Sequence, residues 1–111
     1  MSIAWFEIAA GDTDRAQKFY GGLLGWQFEA FEPGGNYLVA GEAGGALYPG
    51  GDGRPGVLVY FGVDDIKAAA AQVGELGGEA GEVQEIPNIG HYSICKDTEG
   101  NTIALYQQAA G

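Results

Sequence analysis

One supersecondary pattern written twice constrains this 111-residue chain more than anything else in it. The first copy opens with Ile3-Ala-Trp-Phe-Glu-Ile-Ala-Ala-Gly-Asp12, and the second opens at Val57. Residues 3–9 have the length and the β-branched and aromatic content of a strand, which puts Trp5 and Glu7 on one face and Phe6 and Ile8 on the other. Asp12 offers a capping oxygen and Asp14 a first-turn acid to a helix whose apolar residues Ala16, Phe19, Tyr20, Leu23 and Leu24 recur at helical spacing. That stripe is expected to dock on a sheet, and Gly25 stands where a left-handed C-cap is needed. Three short strands are predicted at 26–31, 36–40 and 45–48, divided by Pro33-Gly34-Gly35 and by Gly41 to Gly44.

The second copy repeats the order. A strand is predicted at 57–63, a helix start at Asp64-Asp65, and an apolar stripe over Ile66, Ala69, Ala70, Val73 and Leu76 that Gly77-Gly78 closes. Strands follow around 81–84, 91–96 and 102–107. Leu23-Leu24-Gly25-Trp26 matches Glu75-Leu76-Gly77-Gly78, Gly35 to Gly41 matches Gly90 to Lys96, and Ala46-Leu47-Tyr48 matches Ala104-Leu105-Tyr106. Each matched pair lies further apart than the one before, as an insertion in the second copy requires. A lone βαβββ unit leaves one face of its sheet uncovered. The expected fold class is therefore α+β: two tandem βαβββ units, 3–49 and 57–108, joined by a Gly-, Asp- and Pro-rich linker at 50–56, in a single domain over 1–111. The units are expected to pair into a curved mixed sheet with a central cleft.

Composition narrows the function. The formal net charge is −10, from 15 acids against Arg15, Lys18, Arg54, Lys67 and Lys96, so no basic patch exists to neutralise phosphates and nucleic acid is excluded as a partner. A cationic small molecule is compatible with this acidity, as is the plainer role of dispersed acids in keeping a small protein soluble. With one cysteine, Cys95, in an apolar run, no internal disulfide can form and the thiol reads as inert packing. No leader-like segment and no apolar run near the ~20 residues that span a bilayer is visible, so a cytoplasmic protein without membrane association is expected.

At this point the chain resembles the vicinal oxygen chelate superfamily, which includes glyoxalase I, bleomycin- and fosfomycin-resistance proteins and extradiol dioxygenases. The resemblance rests on Trp5-Phe-Glu-Ile, Arg15-Ala-Gln-Lys-Phe-Tyr with Leu24-Gly-Trp26, Tyr60-Phe-Gly-Val-Asp-Asp-Ile66, and Lys96-Asp-Thr-Glu-Gly-Asn-Thr-Ile-Ala-Leu-Tyr106, and it covers nearly the whole chain. It implies the glyoxalase/bleomycin-resistance fold. It also implies a divalent metal held by His or Glu at four positions, which fall here on Trp5, Ala46, Leu58 and Ala104. None of these side chains is a metal donor, so no metal and no other cofactor is expected.

Two residues along each strand, on the same faces, stand Glu7, Tyr48, Tyr60 and Tyr106. Together with Trp5 they form the expected ligand-binding set: rings, phenol hydroxyls and one carboxylate suited to an aromatic or cationic organic molecule. Each has a plainer reading, the rings as core packing and Glu7 as an exposed residue at a dimer edge. His91, the one histidine, reads as a surface or hydrogen-bonding residue, and the Gly-Gly pairs read as turns because no Lys-Ser/Thr follows them. The leading expectation is a metal-free small-molecule binder of the bleomycin-resistance kind, a homodimer by analogy. A glyoxalase-like lyase, isomerase or dioxygenase, using Glu7, His91 or Tyr106 in unusual roles, is the alternative. A scaffold with a filled cleft is the third.

Overall fold

The computed structural model describes residues 2–50 and 56–109. Its elements run β1 (Ile3–Ala10), α1 (Thr13–Leu24), β2 (Glu29–Ala30), β3 (Leu38–Ala40), β4 (Gly45–Pro49), β5 (Val57–Gly62), α2 (Ile66–Glu75), β6 (Gln84–Ile86), β7 (Gly90–Lys96) and β8 (Thr102–Gln108). This is βαβββ twice, an α+β chain. Of the linker expected at 50–56, residues 51–55 lie outside the described residues. The chain separates into two compact units, one spanning Trp5–Leu58 and the other holding the residues up to Ala4 and from Val59 onward.

In the first unit the strands lie in the order β2-β3-β4-β1, with β1 parallel to β4 and the other neighbours antiparallel. The register sets Phe6 beside Gly45, Glu7 beside Ala46 and Ala9 beside Tyr48, while Val39 flanks Ala46 from the other side. Phe6, Ile8, Leu38 and Leu47 therefore share the face that α1 covers, and Trp5, Glu7, Tyr37, Val39 and Tyr48 share the opposite one. On the helix side the Phe6 ring lies over Gly45, where any Cβ would overlap it. Trp26 packs 5.7 Å from Phe6 and stacks at 5.7 Å on Tyr20.

The helix differs from its expected orientation. Phe19, Leu23 and Leu24, placed against the sheet by their spacing, are 60%, 65% and 50% exposed. Thr13, Ala16, Gln17, Tyr20 and Gly21 are half-buried instead, with the same helical period rotated by about one residue. Tyr20 on that side stacks on Trp26, and a Cβ at Gly21 would lie 3.3 Å from the Trp26 carbonyl oxygen, so the segment just after the helix packs against this side.

The second unit orders its strands β5-β8-β7-β6, with β5 parallel to β8. Its core gathers Ile66, Cys95 and Leu105, with Phe61, Val63, Ala69, Val73, Val83 and Ile103 packed around them. Cys95 is buried and reduced, as an inert packing thiol should be. Leu76, placed in the apolar stripe by its spacing, falls at the C-cap and is 71% exposed. The unit's second strand, β6, starts at Gln84, later than the sequence suggested, because the preceding residues run beside β7 with only an isolated bridge, Glu79 to Lys96. Gly81 lies so close to the Ile94 carbonyl that a side chain cannot fit, and its own carbonyl accepts from Ser93 Oγ at 2.9 Å.

The two helix starts are copies of each other. Asp12 and Asp65 both adopt φ −136° and ψ 99°, and each Oδ1 accepts from the backbone N–H three residues on, Arg15 at 3.0 Å and Ala68 at 3.1 Å. Such a cap contributes about 1 kcal/mol to its helix. Gly25 ends α1 at φ 73°, the left-handed value its position required. Among the described residues no helix is long and apolar enough to cross a membrane.

Candidate functional site

The first unit's sheet face carries a polar relay built from β1 and the residue just before β3. Trp5 Nε1 donates to Tyr37 Oη at 2.9 Å, and Tyr37 Oη donates to Glu7 Oε2 at 2.6 Å. The second distance falls in the range of a hydroxyl bonded to an ionised carboxylate, which makes it the stronger of the two bonds. Alternation along β1 puts Trp5 and Glu7 on one side, and Tyr37, just before β3, reaches both. Glu7 is 6% exposed. Burying a carboxyl group is costly unless hydrogen bonds compensate it, so the phenol is part of what lets Glu7 stay inside. The reading of Glu7 as an exposed dimer-edge residue does not hold within this chain.

Phe31 extends the same face. Its N–H donates to the Tyr37 carbonyl at 2.9 Å, continuing the β2–β3 pairing by one step. Its ring meets the Tyr37 ring edge-on at 6.1 Å. Phe31 is 56% exposed, while Trp5 and Tyr37 are half-buried. Exposure on this face thus falls from Phe31 through Trp5 and Tyr37 to the buried Glu7. Neither Tyr37 nor Phe31 was singled out from sequence. The available signal was the repeat itself, which aligns Tyr37 with Tyr92 and so places it on a strand facing Glu7's side.

The remaining residues of the expected set are placed as follows. Tyr48, in the first unit, is 4% exposed next to Ala9. Tyr60 and Tyr106 belong to the second unit. Tyr60 is 8% exposed and meets Tyr92 edge-on at 6.4 Å, and the half-buried Tyr106 donates from Oη to the Ile89 carbonyl at 2.9 Å. The structure thus brings Trp5 and Glu7 together through Tyr37, and ties Tyr60 and Tyr106 into packing and backbone contacts of their own unit. His91 is partly exposed on β7, 3.8 Å from Glu85 across the β6 pairing, the surface position expected of it.

A divalent metal does not fit the four positions that the resemblance designates. Trp5 offers an indole N–H, which donates and has no lone pair to give, and Ala46, Leu58 and Ala104 are 2%, 0% and 0% exposed hydrocarbon. Among the described residues no group of three or more His, Cys, Asp or Glu could hold a metal ion. Two open grooves of about 660 and 630 Å3 flank Trp26, Gln27 and Phe28, and neither touches Trp5, Glu7 or Tyr37.

The Lys96–Tyr106 segment has a structural role. Asp97 Oδ1 accepts from the backbone N–H of Glu99 at 2.8 Å and of Asn101 at 2.9 Å, and Oδ2 accepts from Asn101 Nδ2 at 3.0 Å. The Asn101 side-chain amide, with the two backbone donors, holds the Asp97 carboxyl below the ordinary aspartate range.

Comparison with known proteins agrees with this architecture. The profile of the Glyoxalase/Bleomycin resistance protein/Dioxygenase superfamily matches residues 2–105. A glyoxylase-like domain-containing protein of Didymella fabae is 33% identical over 119 residues, covering 93% of this chain and 91% of that protein. CFP32 of Mycobacterium tuberculosis, which carries a glyoxylase name, is 33% identical over 116 residues, and the chain spans 44% of its length. Among solved structures, a member of the same superfamily from Vibrio splendidus superposes with TM-score 0.69 at 18% identity, covering 93% of this chain and 96% of that one. Methylmalonyl-CoA epimerase from Mycobacterium tuberculosis superposes with TM-score 0.65 at 17% identity, covering 97% and 88%. At such identities the likeness is one of fold.

Proposed function

The chain belongs to the Glyoxalase/Bleomycin resistance protein/Dioxygenase superfamily, and within it we propose that the protein binds a small organic molecule, aromatic or cationic, without a resident metal. The model is the ligand-holding action of bleomycin-resistance proteins, in which affinity and not turnover is the function. One observation carries the reading: where the fold's metal donors would stand there is hydrocarbon and indole, while a buried carboxylate, a phenol and an indole are wired together on the same sheet face. Trp5, Tyr37 and Glu7 form the centre of the proposal. Tyr48 of the same unit is carried as a further contact to be tested by substitution.

A thermal-shift screen against aromatic and cationic compounds tests it, because any ligand of the folded state raises the melting temperature. For a cationic hit, Glu7→Gln should weaken binding by about 1–3 kcal/mol, the worth of a hydrogen bond to a charged group. Unchanged affinity would remove Glu7 from the site, and a screen without any shift would leave the scaffold reading.

The glyoxylase names of the relatives favour a second reading, a glyoxalase-like lyase or isomerase with an unusual site. Stoichiometric nickel, zinc, iron or manganese retained through dialysis would establish it over the first. We also propose a homodimer, supported by the apolar residues Phe19, Leu23 and Leu24 that α1 leaves outward. A monomer mass in sedimentation would dispose of that.

A further inference from the structure

We infer that Trp5, Phe31 and Tyr37, backed by Glu7, form a cage for an organic ammonium ion. The inference rests on the small-molecule reading above and names its ligand class. Three aromatic side chains meet on one face of the first unit's sheet: Trp5 reaches Tyr37 through its indole nitrogen at 2.9 Å, and Phe31 meets Tyr37 edge-on at 6.1 Å. Ring faces carry negative potential and attract cations, most strongly those that are weakly hydrated, such as quaternary ammonium groups.

The relay sharpens this preference. Tyr37 donates a hydrogen bond to the Glu7 carboxylate at 2.6 Å, which pushes electron density into the phenol and outweighs the longer bond, 2.9 Å, by which the Trp5 indole draws on the same oxygen. Glu7 is 6% exposed and hydrogen-bonded to Tyr37, so it acts on the guest through Tyr37 and through its own field. The surrounding charge agrees in sign. Glu29 lies on the same face, paired with Val39, and none of the strands β1 to β4 contains a lysine or arginine. A neutral guest of the same shape would gain the ring contacts and none of the electrostatic term. The structure therefore assigns selectivity to charge more than to shape.

Choline and 3,3-dimethylbutan-1-ol, its neutral counterpart of nearly equal size, are the probes. The protein holds two tryptophans, so a 15N-labelled sample gives two indole N–H cross-peaks, and Trp5→Phe identifies which is which. Trp26 sits among Phe6, Tyr20 and Phe28 on the helix side of the same sheet and is the internal control.

Choline is expected to move the Trp5 cross-peak saturably, with an affinity about ten-fold above that of the neutral alcohol, and to leave Trp26 in place. Truncating the exposed Phe31 to alanine should lower choline affinity about five-fold without disturbing the fold, the worth of one ring at a partly exposed site. Tyr37→Phe keeps the ring and removes the proton donor, so it should cut the choline preference while leaving the alcohol's affinity unchanged. Equal affinities for the two probes, or no choline effect on Trp5, would overturn the cage. A neutral hit from the screen that binds while choline does not would overturn the cage and leave the small-molecule reading standing.

Discussion

Replacing Tyr37 by phenylalanine removes one oxygen and, with it, both bonds of the relay. The bond to Glu7 at 2.6 Å is of the charged kind and worth about 1.5–3 kcal/mol, and the indole bond at 2.9 Å is of the neutral kind and worth about 0.5–1.5 kcal/mol. Together they imply a loss of about 2–4 kcal/mol of folding stability. For a chain of 111 residues this corresponds to a fall of about 8–16 °C in melting temperature. Glu7→Gln keeps an acceptor oxygen for the same phenol, so it should cost less, about 1 kcal/mol. In a double-mutant cycle measured by urea unfolding, the two changes should show a coupling of about 1 kcal/mol, since Glu7→Gln has no bond left to weaken once the Tyr37 hydroxyl is gone. A Tyr37→Phe loss below about 0.5 kcal/mol, or strict additivity in the cycle, would show that the relay does not exist in solution and would remove the physical basis of both proposals above.

Two further predictions concern the scaffold. Gly81→Ala should destabilise by about 2–4 kcal/mol, because the new methyl overlaps the Ile94 carbonyl oxygen and only a backbone shift that also strains the Ser93 bond can relieve it. The reverse sign is expected at Gly22, in the last turn of α1 with nothing near its missing Cβ, where alanine should add about 0.5 kcal/mol; equal effects in thermal unfolding at the two glycines would contradict this packing. Asp97 has its folded-state pKa depressed, so its contribution to stability is present above the unfolded aspartate value and is lost as pH falls through the folded one. Asp97→Asn should accordingly lower the melting temperature at pH 7, with the gap to wild type closing below about pH 4; a gap that stays constant between pH 7 and pH 3 would show that the carboxylate charge is irrelevant to the turn.

What the sequence disclosed and what it concealed divide along a physical line. The capped helix starts at Asp12 and Asp65, the C-cap at Gly25 and the alternation of Trp5 and Glu7 against Phe6 and Ile8 are local rules, and each is found as read. The orientation of α1 is not local. Phe19, Leu23 and Leu24 and the half-buried Ala16, Tyr20 and Gly21 offer two overlapping stripes, and the second is the one turned inward, where Tyr20 stacks on Trp26 from the segment after the helix. Tyr37 illustrates the same limit at the site. Its partners Trp5 and Glu7 are 32 and 30 residues away, and nothing in the Gly35-Asn-Tyr turn announces a hydrogen bond to a carboxylate across the sheet.

The duplication supplies the strongest argument that Glu7 has a task. In the first unit Glu7 pairs with Ala46, and in the second Tyr60 pairs with Ala104, so the repeat that matches Ala46 to Ala104 also matches Glu7 to Tyr60. Tyr37 and Tyr92 stand equivalently two residues before Val39 and Ile94. One backbone thus meets the same requirement in two ways: a carboxylate under a phenol in the first copy, a ring against a ring in the second. The ring pair is the less demanding solution, for it contributes about 0.5–1.5 kcal/mol beyond its burial and desolvates no charge. The carboxylate must be compensated by hydrogen bonds before it contributes anything. The second copy fills the equivalent position with Tyr60 and no carboxylate, so the repeated backbone does not by itself demand one at Glu7, and the choline measurement decides whether the proposed cage is its use.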